Sequence, residues 1–478
     1  MEIKAFDVGS TFTKINAYRL EAGRLQWLAR AQAPTTVQDI RVGLEKALEG
    51  LPGGPRLQDL AGQQVLASSS AAGGLRMVAI GYMPRVTAKA ALEVAMNAGA
   101  RVLEVLSEED TPAYRREVLL EIKPDIVLLT GGTDGGDTEA LWQNARLLAD
   151  LKLPAVVIIA GNSQAQARAA EILAAAGVRH RRVANVMPTI HELRVQPARE
   201  AIHGEFIRQI TRAPGLRYLE GLVPGGKVVP TPGAVLMGAE LLARGYYEEK
   251  GLGSLVVIDL GGATTDVHSV IPQLEGLPLE ERGLILTNEK QVAYRTVEGN
   301  LGLRVSCRGI VETVGPRQVL LRAKLPVTEE MEQELLAYCN RVEGQTETLA
   351  GNEKERCFDR GLAIAAVETA LKRHAGHLSQ EYNPVMGIAP GTPMGRDLRP
   401  VKYIIAVGGI FTALPEEEAR AIVWEALANR GISLLPEEPE IIIDRNYLLY
   451  SLGLLASRYP YETLRFAKQY FGLHQEEY

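Results

Sequence analysis

Asp7 and Asp259 each close a short apolar run, and each is followed by a turn rich in glycine and hydroxyl side chains. The first stretch reads IKAFDVGSTFTKI over residues 3–15, and the second LVVIDLGGATTDVHSV over residues 255–270. Aligned, Asp7-Val-Gly-Ser-Thr-Phe-Thr-Lys14 and Asp259-Leu-Gly-Gly-Ala-Thr-Thr-Asp266 agree at the Asp, the Gly and the later Thr. The apolar runs predict buried strands, so each copy reads as strand, tight turn and departing strand. Such a turn suits phosphate. Glycine has no Cβ to hold an anion away from the backbone N–H groups, and Ser and Thr add donors. A carboxylate at the strand end holds Mg²⁺ through water or orients an attacking water. A single copy reads equally well as a β-turn without a ligand. Two matched copies point to two similar halves with the phosphates of a nucleotide clasped between them.

The two stretches resemble the phosphate-binding hairpins of the actin, sugar-kinase and heat-shock-chaperone ATPase superfamily. Two further stretches resemble its other signatures, in the superfamily's order. TPGAVLMGAE, residues 231–240, resembles the helix that connects the two halves, and AVGGIFTALP, residues 406–415, resembles the adenosine motif. The resemblance implies an α/β fold of two actin-like (ribonuclease H-like) halves around a cleft that takes ATP and Mg²⁺. It implies that Asp7 and Asp259 organise the metal and water, with the Asp266 carboxylate behind them. Gly9, Ser10, Thr11, Thr13, Gly261, Gly262, Thr264 and Thr265 would cradle phosphates. Lys14 would add positive charge unless its strand turns it to solvent, and Gly408 and Gly409 would border adenosine. One departure stands out. Heat-shock chaperones place a Glu before the Pro-Thr of the connecting helix, where it helps order the catalytic water. Here Pro230 precedes Thr231 and Pro232, and slow hydrolysis is the expectation.

A closer resemblance covers essentially the whole chain. DVGSTFTK, SSSAAGGLRM, LLTGGTDGGD and VGGIFTALP are similar to the MutL or GlmL family, accessory proteins encoded beside adenosylcobalamin-dependent glutamate mutase. Similar proteins occur beside ornithine aminomutase. This resemblance implies a reactivating ATPase of chaperone type, which releases damaged cobalamin from a mutase partner by nucleotide-driven domain movement. Other members of the superfamily are small-molecule kinases, actin-like filament ATPases and dehydratase activators. The last carry an iron–sulfur cluster between subunits, and no Cys lies here in a suitable Gly-rich helix start.

The elements that must hold these residues follow from the apolar pattern. Asp39 to Glu49 predicts a helix, and Gln64-Val-Leu-Ala67 a strand that leads into the Ser/Gly run 68–74. That run is either a plain flexible turn or a loop that approaches a ligand. From Pro84 to Asn185 strands and helices alternate, with strands at 102–106, 126–129, 155–159 and near Val183. Helices are expected at 88–98, 112–122, 139–151 and 165–176. Alternation of this kind predicts a small parallel, Rossmann-like sheet, read as a domain inserted over 85–185. The first half then comprises 1–84 and 186–250, and the second 251–478. Within the insert, TGGTDGGD (130–137) follows a strand and precedes a helix. Its two acids repel phosphate unless a metal intervenes, and it reads as a structural or partner-contacting loop or as a ligand site. An amphipathic helix is expected over 189–210, long helices at 353–374 and 447–470, and a loop over 385–399.

Composition sets the outer limits. Of 478 residues, 46% are hydrophobic and 23% charged, which predicts a soluble globular chain with large cores. The net charge of −6 argues against nucleic acid as a general ligand. Cys307, Cys339 and Cys357 are too few and scattered for a zinc ribbon or a disulfide framework, which fits a reduced cytoplasm. His191 and His203 lie in no metal-binding spacing. No apolar run approaches a membrane span, and no signal peptide precedes the first strand, so a cytoplasmic protein is expected.

Overall fold

The computed structural model describes residues 1–9, 11–36, 39–60, 62–70, 75–84, 90–91, 94, 100–189, 193–210, 216–272, 292–380, 382 and 389–473. Ser10, His191, the run 71–74, most of the expected helix 88–98 and part of the expected loop 385–399 lie outside these residues.

The early chain forms β1 (Glu2–Val8), β2 (Phe12–Glu21), β3 (Arg24–Pro34) and β4 (Gln64–Ser69). It continues through β5 (Leu75–Ile80), β6 (Ala100–Leu106), β7 (Ile126–Leu129), β8 (Val156–Ile159) and β9 (His180–Arg182). Next come β10 (Val229–Pro230), β11 (Leu255–Leu260) and β12 (Thr265–Val270). Last are β13 (Ala293–Glu298), β14 (Tyr403–Gly408) and β15 (Glu440–Ile443).

These strands build three five-stranded sheets, of which two share one plan. The first runs β3-β2-β1-β4-β10 and the second β13-β12-β11-β14-β15. Each opens with the hairpin that carries a glycine turn. β1 and β2 are antiparallel with Asp7 opposite Lys14, and β11 and β12 are antiparallel with Asp259 opposite Asp266. β14 and β15 then extend the second sheet in parallel.

Side-chain alternation places the two acids. Val256, Ile258 and Leu260 join a core with the helices Cys307–Val314, Glu329–Gly344 and Glu353–His374. Leu255 and Val257, on the other face of β11, join a second core that also takes Ile3 and Ala5 of β1. A strand covered on both faces is an unbroken apolar run, as Leu255 to Ile258 is. Asp7 extends the series Ile3, Ala5, and Asp259 extends Leu255, Val257, so both stand at the end of this shared core. The core is bound by the helices Thr231–Arg244 and Leu448–Ala456, which follow β10 and β15. The two helices cross at glycines. A Cβ on Gly453 would lie 1.7 Å from the Ala234 carbonyl oxygen, and one on Gly238 2.7 Å from that of Leu449.

These elements belong to the larger of two compact units, Met1–Thr36, Arg41–Ser68 and Glu220–Tyr478. The smaller comprises Val37–Ile40 and Ser69–Leu219. Its sheet is parallel, in the order β6-β5-β7-β8-β9. It is wider than the expected 85–185 insert for two reasons. β5, before that segment, pairs with both β6 and β7. The helix Gln196–Ile210, after it, contacts β6 and β8. Its helices Pro112–Ile122 and Glu139–Leu151 keep the limits expected of them. The single helix expected over 447–470 is two, Leu448–Ala456 and Pro460–Tyr470, because Pro460 has no N–H to continue a ladder and instead starts a new helix. The helix Glu353–His374 is packed into its core as expected. No helix among the described residues is long and apolar enough to cross a membrane.

Candidate functional site

The two glycine turns close alike. Gly9 N–H donates to the Phe12 carbonyl at 3.1 Å, and Gly261 N–H to that of Thr264 at 2.9 Å. Neither glycine has a left-handed φ. What selects glycine is room, since a Cβ would meet those same oxygens at 2.7 Å on Gly9 and 3.1 Å on Gly261. The turns also face each other. A Cβ on Gly262 would lie 3.4 Å from Thr11 Cγ2 and 3.9 Å from its Oγ1. The second turn is braced from behind. Leu303 N–H donates to Gly261 O at 3.1 Å, and Arg304 and Val305 N–H to Gly262 O at 2.9 and 2.7 Å. Arg304 is in turn fixed by Asp359 through paired bonds of 3.0 and 2.8 Å.

The carboxylates beneath the turns are treated differently. Asp7 is buried and fully engaged. Its Oδ1 accepts from Ser68 Oγ at 2.9 Å and Thr231 Oγ1 at 2.5 Å, and its Oδ2 accepts from Lys14 Nζ at 3.2 Å. Burial pulls the Lys14 ammonium down, but Asp7 and, behind it, Tyr447 and Asp259 hold it above its ordinary value. Lys14 therefore stays charged and points at Asp7, not at solvent. Asp266 is tied up as well. Arg295 donates to its Oδ1 through Nε at 2.9 Å and Nη2 at 2.7 Å, and Thr264 Oγ1 donates to its Oδ2 at 3.0 Å. Asp259 accepts no hydrogen bond among the described residues. Burial, with Asp266, Asp7 and Asp444 nearby and Lys14 opposing, pushes its carboxyl up to about 7.

Asp444 is the further acid. It follows β15 as Thr231 follows β10, and it is buried, with Oδ2 accepting Leu449 N–H at 3.0 Å and Oδ1 without a partner among the described residues. Burial raises its carboxyl too. Close by, Tyr447 sits at φ +50, an uncommon backbone for a bulky residue. Lys14 Nζ and Arg30 Cζ lie 4.7 and 4.6 Å from its ring centroid. The tyrosine hydroxyl faces Gly409, where a Cβ would come within 3.6 Å of it. Gly408 ends β14 at φ +146, and a Cβ there would lie 2.2 Å from Leu260 O, so the backbone requires glycine. The helix Gly409–Ala413 starts directly after it.

Of the expected residues, Asp7, Gly9, Thr11, Lys14, Asp259, Gly261, Gly262, Thr264 and Asp266 gather at the turns. Gly408 and Gly409 stand at the end of the neighbouring strand. Thr13 and Thr265 do not join them. Both lie on the opposite strand face, buried, with Thr13 Oγ1 3.0 Å from Thr35 Oγ1 and Thr265 Oγ1 donating to Leu301 O at 2.5 Å. The even spacing of β-strand side chains forces this, since Lys14 and Asp266 take the near face. Ser68, Thr231, Asp444 and Tyr447 enter the site without a motif of their own. Ser68 heads the Ser/Gly run and Thr231 heads the connecting helix, so only those two carried a signal.

The arrangement offers donors for oxyanions at the turns and, beside them, a carboxylate that accepts no hydrogen bond among the described residues. Among the described residues no three His, Cys, Asp or Glu side chains are grouped to hold a metal alone. A divalent cation that keeps its waters and takes one or two carboxylates plus ligand oxygens, as Mg²⁺ does, fits Asp259 better than a dedicated protein cage would.

Comparison with known proteins gives the chain its relatives. The family described as MutL protein matches residues 3–471. Protein MutL of Clostridium tetanomorphum is 39% identical over 477 residues, 97% of this chain and 98% of that protein. Among solved structures, the activator of 2-hydroxyisocaproyl-CoA dehydratase from Clostridium difficile with bound ADPNP is 11% identical, with all of both chains covered and a TM-score of 0.31. Gluconate kinase from Lactobacillus acidophilus is 11% identical over 99% of this chain and 90% of its own, with a TM-score of 0.30.

Proposed function

Because the chain belongs to the MutL protein family, we propose that it is a slow ATPase that reactivates an adenosylcobalamin-dependent mutase, of the glutamate mutase or ornithine aminomutase type, by driving release of damaged cobalamin. We read the two like-ordered sheets as two actin-like halves, with the smaller unit as an insertion that carries movement to the mutase.

The observation that carries nucleotide binding is the unpartnered Asp259 carboxylate beside two opposed glycine turns. Bound ATP and Mg²⁺ would bring the phosphoryl group to be transferred and the charge that balances Asp259. The residues supply position. Thr11, Gly262 and Thr264 present donors to phosphate oxygens, Gly9 and Gly261 keep the two turns tight with their own N–H groups spent inside them, and Lys14, aimed by Asp7, adds a fixed positive charge. Ser68 and Thr231 hold the Asp7 rotamer, so Asp7 acts on water or metal from a preset angle. Gly408 and Gly409 let the adenosine approach the backbone beside Tyr447. Pro230 offers no side chain to order an attacking water where heat-shock chaperones have a Glu, which favours a switch over a metabolic kinase.

The test is a reactivation assay. Mutase inactivated in turnover is incubated with this protein, free adenosylcobalamin and either Mg·ATP or a non-hydrolysable analogue. The expected result is cobalamin exchange and recovered mutase activity with Mg·ATP. Nucleotide binding without any exchange would reject the reactivase reading, and absence of nucleotide binding would reject the site itself.

A further inference from the structure

The smaller unit carries a crevice of its own. In the order β6-β5-β7-β8-β9 the chain leaves β5 to one side and resumes at β7 on the other. Strand ends diverge at such a switch point, and open α/β sheets take ligands there. A cavity of about 230 Å³ lies at that place, walled by Tyr82 and Met83 after β5, by Gly131 and Thr133 after β7, and by Asp137 and Met187.

The loop after β7 is fixed from beneath. Buried Asn162 donates through Nδ2 to the carbonyls of Gly136 at 3.1 Å and Asp137 at 3.0 Å. Buried Asn185 donates to Gly132 O at 3.1 Å and Asp134 Oδ1 at 2.9 Å. Gly132 has φ +70, and a Cβ on it would lie 2.3 Å from Asp137 O. Two buried amides spent on holding one glycine loop in shape make a preorganised wall.

Its chemistry is specific. Asp134 is drawn away, accepting Ser163 N–H at 2.8 Å, so only one of the loop's two acids lines the cavity. Asp137 Oδ2 accepts Ala140 N–H at 3.0 Å, which leaves Oδ1 as an acceptor. The N–H groups of Gly131, Gly132 and Thr133 donate to nothing among the described residues. Among the described residues no Lys, Arg or His lines the space. Backbone donors call for carbonyl oxygens, and Asp137 calls for an N–H. A carboxylate in the wall disfavours phosphate. Two thioethers and a tyrosine suit the faces of a flat π system.

We propose that this cavity binds a planar, uncharged nitrogen heterocycle by an edge that carries both C=O and N–H groups, such as an isoalloxazine or an oxo-purine. The inference does not depend on the nucleotide site, because every residue it uses lies in the smaller unit. To test it, the full chain is saturated with Mg·ATP, then titrated with riboflavin by flavin fluorescence and, separately, with guanosine by equilibrium dialysis. Saturable binding of either probe is expected, weakened at least about tenfold by Tyr82→Ala and by Met83→Asp. Both side chains are about half exposed, at 52% and 51%, so the variants fold, and their ATP affinity should stay at the wild-type value. Whichever probe binds identifies the heterocycle. Failure of both to saturate by about 1 mM, or binding unmoved in both variants, overturns the proposal.

Discussion

Asp7 and Asp259 hold matching places in matching sheets, yet one is satisfied and the other is not. The difference lies in the residue that faces each acid across its hairpin, Lys14 for Asp7 and Asp266 for Asp259, and then in the residue that succeeds the last strand of each sheet. After β10 comes the hydroxyl of Thr231, which donates to Asp7; after β15 comes Asp444, a carboxylate that adds to the burial and the Asp266 charge that raise Asp259. We therefore expect Asp259→Asn to lower Mg·nucleotide affinity at least about tenfold with little loss of fold stability, since no hydrogen bond is broken. Asp266→Asn should do the reverse. It would leave Arg295 buried without its carboxylate, at a cost of roughly 3 kcal/mol in stability, and change nucleotide affinity less. Isothermal titration and thermal melts on the two variants separate the roles, and similar profiles would remove Asp259 from its place as the cation ligand. Thr231→Val should reduce nucleotide affinity, whereas Thr231→Ser, which keeps the donor, should restore it.

Among the elements, the helix pair Thr231–Arg244 and Leu448–Ala456 sets how far apart the two sheets stand. Gly453→Ala drives a methyl into Ala234 O, 1.7 Å away, and backbone cannot yield as a side chain can. Its cost should be about 3 kcal/mol or more in a thermal or denaturant melt. Gly262→Ala meets nothing closer than Thr11 Cγ2, at 3.4 Å, an ordinary contact. It should fold normally and weaken nucleotide binding, because the methyl stands in the space a phosphate needs. These elements were legible in the sequence where the pattern is local. The apolar runs before Asp7 and Asp259 and the helices Pro112–Ile122 and Glu353–His374 all appear at or near their expected limits. What the sequence hid is non-local. Thr13 and Thr265 read as phosphate donors until the pairing of β1 with β2 and β11 with β12 assigns each side chain a face. Asp444 and Tyr447 carry no spacing signal, because only the folding of β15 against β14 brings them beside the first hairpin. The place of β5 was hidden for the same reason. Its run is short, and its partners β6 and β7 lie further along the chain.

At the scale of the whole molecule, opposed titrations link the site to the stability of the fold. His268 is fully buried with neither ring nitrogen hydrogen-bonded among the described residues, and burial, with Arg295, depresses its pKa to about 3. His374 is depressed as well, chiefly by burial and then by Arg396. A group whose folded value is depressed gives stability that is present above its ordinary value of 6.5 and is lost as pH falls below it. Asp259 runs the other way. Its folded value is raised, so it gives stability that is present below 3.8 and is lost as pH rises through about 7. Below the ordinary histidine value the unfolded chain takes up protons at these two histidines that the folded chain resists, whereas the folded chain holds a proton at Asp259 that the unfolded chain has released, so the two slopes oppose each other. Melting temperature of the ligand-free protein should therefore rise only gently between pH ~5 and ~6. Asp259→Asn removes the opposing contribution and should steepen that slope, and His268→Phe should flatten it. Mg·nucleotide should steepen the wild-type curve toward that of Asp259→Asn, because a bound cation keeps the carboxylate ionised in the folded state. Parallel curves for the wild type and Asp259→Asn would mean that Asp259 titrates at its ordinary value. The case for a cation beside the glycine turns would then fall with it.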